Sequence, residues 1–152
     1  MKALTVWQPW ASLIAAGVKP YEFRGWAFPR SLEGARIAIH AGARPVRRPE
    51  ISDLVVRLKR TGAWTTALRP DALELLERAL QSPGMLPLSH VLCTAVLGRP
   101  RRASEIVAEF GGPANDSDRN AHGNWAWPLT DIEQVLPPQP ARGAQGFWDW
   151  RP

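Results

Sequence analysis

The sequence predicts an α+β fold, a small β-barrel with α-helices on its outside. Several short apolar segments have the length and alternation of strands. A few intervening stretches have helical spacing and are bounded by glycine and proline. The 152 residues suit one domain with its own core, and neither an internal repeat nor a second domain is evident.

The elements follow in order. Residues 2–7 read as a strand, with Leu4 and Val6 on one face. Residues 8–17 read as a two-turn helix: Pro9 suits the first turn, Gly17 suits the stop, and Trp10, Leu13 and Ile14 share a face. Residues 20–26 form the next strand, with Pro20 confined to its start or edge. Residues 36–41 are a short strand. Ile51, Leu54, Val55 and Leu58 then repeat at helical spacing. Pro70 opens a second such helix, with Leu73, Leu76 and Leu80 on one side. Residues 91–97 are apolar on both faces, as a central strand requires. Ser104 is placed to cap a short helix over residues 105–110. Residues 111–124, rich in Gly, Asn and Asp, predict a mobile loop. Residues 125–135 carry a strand, Pro137, Pro138 and Pro140 a stiff connector, and residues 146–150 a terminal strand.

Composition narrows the function classes. No apolar run reaches the roughly 20 residues of a membrane span, so no membrane partner is expected. The N-terminal residues lead directly into the first strand, which predicts no signal peptide and a cytoplasmic protein. The sequon at Asn115 then carries little meaning. The single cysteine, Cys93, excludes an internal disulfide and a Cys-rich zinc site. Lysine and arginine outnumber acidic residues 19 to 14, giving a net charge of +5. The bases cluster at Arg44, Arg47 and Arg48, at Arg57, Lys59 and Arg60, and at Arg99, Arg101 and Arg102. Such charge suits a polyanion through counterion release, and it equally suits a basic protein that binds none. The eight tryptophans are compatible with core packing and with base stacking, core being the commoner use of any one.

Most motif readings fail. Asp116, Asp118 and Asn120 resemble part of a calcium loop, but Ala121 replaces the required glycine and Trp127 the bidentate glutamate. His40, His90 and His122 lack metal-ligand spacing. No phosphate-binding glycine loop occurs. Cys93 lies in an apolar strand, where a thiol is inert. No metal and no cofactor are therefore expected.

What remains is Gly17-Val18-Lys19-Pro20-Tyr21-Glu22-Phe23-Arg24-Gly25-Trp26. Charge in an otherwise apolar strand is costly unless it pairs or meets a ligand. Glu22 and Arg24 share a strand face; Lys19 begins on the other, and Pro20 gives it a route to the same mouth. The set reads either as a plain salt bridge or as a ligand site. In the ligand reading Arg24 contacts a phosphate or base edge. Glu22 holds Arg24 and accepts from an exocyclic amine, and Lys19 meets an anionic group or transfers a proton.

At these residues the chain resembles the ASCH domains of the PUA-like superfamily. The signature Gly-x-Lys-x-x-Glu-x-Arg is matched by Gly17, Lys19, Glu22 and Arg24. Leu4-Thr5-Val6-Trp7-Gln8-Pro9-Trp10-Ala11 resembles the family's opening strand and helix start, and Trp26 the aromatic after the arginine. Ile37-Ala38-Ile39-His40-Ala41, Gly123-Asn124-Trp125-Ala126-Trp127 and Arg142-Gly143-Ala144-Gln145-Gly146-Phe147-Trp148 are also family-like. The resemblance covers most of the chain and implies a single ASCH domain over residues 1–152. It implies a PUA-like β-barrel with flanking helices, whose cleft is lined by the signature and holds RNA or a flipped base.

Three functional readings follow. The first is a binding module for RNA, other single-stranded nucleic acid or a nucleoside. Lys19, Glu22 and Arg24 contact the ligand, and Trp26, Trp10 and Gln8 help to form the walls. The second is an enzyme with Lys19, Glu22 and Arg24 as catalytic residues. Some ASCH relatives cleave N4-acylcytidine with a Lys, a Thr and a Glu; here Glu22 stands at the hydroxyl's place. The strand of residues 92–97 offers only Thr94 and no carboxylate. A metal-independent ribonuclease would use Lys19 on the 2′-hydroxyl and Arg24 on the developing phosphorane. The third, a protein-interaction module, rests on the tryptophans alone.

Overall fold

A computed structural model of the protein describes residues 1–60, 65–111 and 125–152. Trp64, His122 and all of the expected mobile loop except Gly111 lie outside the described residues, as do the sequon, the calcium-like run and residues 123–124 of the resemblance.

Seven strands join in one mixed sheet among the described residues. They are β1 (Lys2–Val6), β2 (Tyr21–Arg24), β3 (Arg36–Ala41), β4 (His90–Leu97), β5 (Arg101–Arg102), β6 (Trp125–Pro140) and β7 (Phe147–Asp149). The order is β2-β6-β4-β3-β1-β7, with β5 beside β6. Only β1 and β3 run parallel, and the remaining pairs are antiparallel. Ladder irregularities between Ile39 and His40, Val91 and Cys93, and Thr94 and Val96 bend the sheet. It curls into a half-barrel with several helices against it, the α+β layout expected.

The helices are α1 (Trp10–Ala15), α2 (Arg48–Arg60), α3 (Ala72–Gln81) and α4 (Ala103–Ile106). Leu13 and Ile14 of α1 are fully buried, and α1 separates two cores. Ile14 packs with Leu4, Ile37, Ile39 and Trp127 of the sheet. Leu13 packs with Ile51 and Leu54 of α2 and Leu76 of α3. Full burial of an aliphatic side chain contributes about 1.5–3 kcal/mol, so the apolar stripes dock α2 and α3 as a pair.

Three expectations change. Ser104 lies inside α4 and does not cap it; Arg102 is the N-cap and offers no side-chain hydrogen bond. The helix expected over residues 105–110 splits into α4 and a 3-10 turn, Val107–Phe110, that ends on left-handed Gly111. The proline connector is the second half of β6, a strand of 16 residues. Proline is tolerated there because β2 pairs only with the first four residues of β6. Beyond them, apart from a bond from Leu129 N to Pro20 O, the backbone of β6 pairs with β4 alone, so one edge needs no donors at the prolines. The two-residue strand β5 is too short for periodicity to reveal.

Candidate functional site

The chain reaches the signature through a locked turn. After β1 it passes Trp7 and a cis Gln8–Pro9 bond into α1. Gln8 is fully buried. Its Nε2 donates to Ser12 Oγ and to Pro87 O, both at 2.8 Å, and its Oε1 accepts from Ser12 N at 3.1 Å. Gln8 therefore ties the start of α1 to the segment preceding β4, and it is not part of the cavity wall. At the other end Gly17, at φ +75°, closes α1. The amides of Val18 and Lys19 both donate to Leu13 O, at 3.1 and 3.2 Å. This fixes the backbone from which Lys19 reaches inward.

Lys19, Glu22 and Arg24 come together. Lys19 Nζ lies 3.2 Å from Glu22 Oε2, and Arg24 Nε donates to Glu22 Oε1 at 2.9 Å. Each carboxylate oxygen thus holds one cation. Lys19 also donates to Tyr21 O and lies 5.0 Å from the centroid of the Phe23 ring. Arg24 Nη2 donates to Thr5 O at 3.0 Å, so a β2 side chain grips the backbone of β1. Lys19 and Glu22 are 5% and 7% exposed, burial that a carboxylate tolerates only when both oxygens are paired.

These three groups form the charged wall of a cavity of about 450 Å3. Val6, Trp7, Trp10 and Phe23 supply apolar and aromatic walls, and Thr5 and Thr66 supply hydroxyls. The volume lies within the roughly 300–1,000 Å3 of small-molecule pockets, and the mixture of apolar walls with a few convergent polar groups is typical of them. Trp10 lines this cavity. Trp26 does not line the cavity: it is 42% exposed and meets Trp127 edge-on at 4.8 Å and Phe147 at 6.1 Å. Its carbonyl accepts from Trp127 Nε1 at 3.1 Å. Trp127, paired with Glu22 across the sheet, is fully buried beneath the site.

Sequence reasoning missed Trp7, which is 55% exposed at the mouth with the Arg44 guanidinium 4.6 Å from its ring centroid. Its place at the end of β1 was readable, but strand alternation does not report exposure at a strand terminus. Thr5 was missed too. Trp148 Nε1 donates to Thr5 Oγ1 at 3.1 Å. Thr5 Oγ1 lies 3.2 Å from His40 Nδ1, and His40 Nε2 lies 2.9 Å from Ala141 O. Because a carbonyl only accepts, Nε2 carries the proton and Nδ1 accepts from the threonine hydroxyl. Burial holds the His40 pKa below its usual value, so the ring is neutral at pH 7.

Other candidates fall away from the site. Thr94 accepts from Arg36 Nη1 at 2.9 Å and does not line the cavity. Burial pushes the Cys93 thiol up to about 12, leaving it inert as expected. On the opposite face of β2, Tyr21 donates to Glu109; burial and then that bond push its hydroxyl up to about 12. The surface bases are largely paired within the molecule. Arg44 bonds Glu50, Lys59 meets Glu77 at 2.8 Å, and Arg101 meets Glu109 at 2.6 Å. Arg48 donates to Leu80 O at 2.8 Å, and Arg102 lies 4.0 Å from the Trp125 ring. These members of the basic clusters are therefore engaged within the molecule.

No group of three or more His, Cys, Asp or Glu among the described residues is arranged to hold a metal. No described helix is long and apolar enough to cross a membrane. Compared with known protein families and with curated proteins, the chain matches no family model and no curated relative.

Proposed function

We propose that the protein binds a nucleobase-bearing ligand, RNA or a nucleotide, in the cavity walled by Lys19, Glu22 and Arg24, as an ASCH domain of the PUA-like kind. The supporting observation is a buried three-membered charge chain facing an open cavity with aromatic walls. A purely structural ion pair gains nothing from a void beside it, because buried charges are costly and apolar residues would fill the space more stably. A base fits this setting. Its ring lies against Trp7 and Trp10, and its edge meets the acceptor Glu22 and the donors Lys19 and Arg24.

The test is equilibrium binding of short single-stranded RNA and of mononucleotides to wild type and Arg24→Ala. Arg24 is only partly buried and Lys19 stays to balance Glu22, so the variant should fold, with its melting temperature little changed and its affinity lowered about tenfold. A melting temperature that drops while affinity is untouched would make Arg24 a structural bridge and end this reading.

The competing reading is a hydrolase, favoured by Lys19 and Glu22 standing 3.2 Å apart in the same wall. Against it, Lys19 is already engaged by a carboxylate and a carbonyl, contacts that a base or nucleophile would have to give up. Turnover of N4-acetylcytidine or of labelled RNA by wild type, abolished in Lys19→Ala, would establish it.

A further inference from the structure

A second cavity, of about 560 Å3, adjoins the first. Thr5, Trp7 and Arg24 line both, so the two are compartments of one cleft with Arg24 on the partition. The far wall of the second compartment is the loop of residues 142–146. Its chemistry differs from the first: among the described residues the charged ones lining it are Arg24 and Arg142, His40 is neutral, and no carboxylate lines it. Glu22 reaches Arg24 from the first compartment only.

We propose that this second compartment is a phosphate subsite. The inference rests on the base-binding reading of the first compartment and makes the ligand a nucleotide unit with its phosphate held beyond Arg24. Four observations support it. Arg24 uses Nε and one N–H of Nη2 on Glu22 and Thr5, which leaves three of a guanidinium's five N–H groups without a partner among the described residues. Arg142 is exposed on the facing loop and forms no ion pair with a described residue. The backbone N–H groups of Gly143, Ala144 and Gln145 donate to no described residue. Backbone amides without an internal partner are donors available to an anion.

The fourth observation is how the loop is held. A Cβ at Gly143 would lie 2.6 Å from His40 Cε1 and 2.7 Å from Thr5 Oγ1. The backbone approaches the Thr5–His40 pair more closely than any other residue allows. Gly146, at φ +69°, then turns the chain into β7. The Trp148–Thr5–His40–Ala141 chain of hydrogen bonds thus fixes the loop, and with it Arg142, opposite Arg24. Two arginines and a row of amides suit an anion with several equivalent oxygens, and a phosphate monoester or diester has that chemistry.

The experiment compares adenosine, cytidine, guanosine and uridine with their 5′- and 3′-monophosphates, inorganic phosphate, and a short single-stranded RNA. Wild type and Arg142→Ala are studied by calorimetry and by amide NMR shifts. At least one monophosphate should bind about tenfold more tightly than its nucleoside, and Arg142→Ala should remove most of that advantage while leaving nucleoside affinity unchanged. Amide shifts at Gly143, Ala144 and Gln145 should accompany phosphate-bearing probes alone. The mononucleotides and the RNA distinguish a free nucleotide from a strand as the phosphate's source. Equal affinity for nucleoside and monophosphate overturns the subsite and leaves base binding standing. Phosphate shifts at the loop without binding of any nucleoside or nucleotide support the subsite and overturn the base-binding reading. A monophosphate advantage that survives intact in Arg142→Ala also overturns the assignment.

Discussion

Glu22 is the residue on which the site depends. Its two oxygens hold two cations, and its side chain is almost fully buried. Glu22→Ala leaves Lys19 as a buried cation without its counter-charge, a change that costs about 3–5 kcal/mol. Arg24→Ala leaves the Lys19–Glu22 contact in place and costs far less. Urea denaturation of the two variants should therefore separate them widely, and equal losses would contradict the bridging role of Glu22. The same asymmetry explains why a binding test is better made at Arg24. The pairing of Glu22 and Arg24 was legible because alternation along a strand fixes which side chains share a face. The arrival of Lys19 was only partly legible, since the turn at Gly17 and Pro20 decides where its side chain goes. The exposure of Trp7 was not legible, because composition and periodicity do not say which end of a strand opens on a cavity.

Among the elements, α1 is the one that carries the site, although it has only six residues. So short a helix is not stable by itself. Leu13 and Ile14 anchor it between two cores, and Gln8 fastens its first turn. Gln8→Ala removes three hydrogen bonds and leaves the half-buried Pro87 carbonyl and Ser12 amide without these partners, at a cost of about 1–3 kcal/mol. It should also weaken ligand binding indirectly, because Trp10 and the backbone of Lys19 hang from α1. A thermal melt with a binding assay on the same variant checks this. Unchanged stability would mean that the turn holds without its clamp. The strands and the two longer helices were readable from apolar spacing: Ile51, Leu54 and Val55 are buried as that spacing requires. The length of β6 was not, because its prolines read as a stop until the missing partner on one edge is known. The loop of residues 142–146 likewise has no periodicity. Gly143 is explained only by its approach to Thr5 and His40 in three dimensions, and Gly146 only by its positive φ.

The whole molecule should sense pH through His40. Burial lowers its folded pKa below the unfolded value of about 6.5, so below that pH the unfolded chain binds the proton more readily. Stability is then complete above about pH 6.5 and declines as pH falls towards the lower folded pKa. His40→Gln removes this titration, while the carboxylates common to both proteins still titrate. Denaturation midpoints measured from about pH 7 to about pH 5 should fall more steeply for wild type than for the variant, and parallel profiles would refute the role of His40. At the same scale, the bond from Arg24 to Thr5 O joins β2, at one edge of the sheet order, to β1, next to the other edge. The cleft therefore occupies the seam that an incompletely closed barrel leaves between its margins, and the Arg24–Thr5 hydrogen bond spans it. Whatever enters the seam becomes part of the wall that completes the cylinder. A guest that binds the folded seam and not the unfolded chain therefore raises the stability of the whole molecule by mass action.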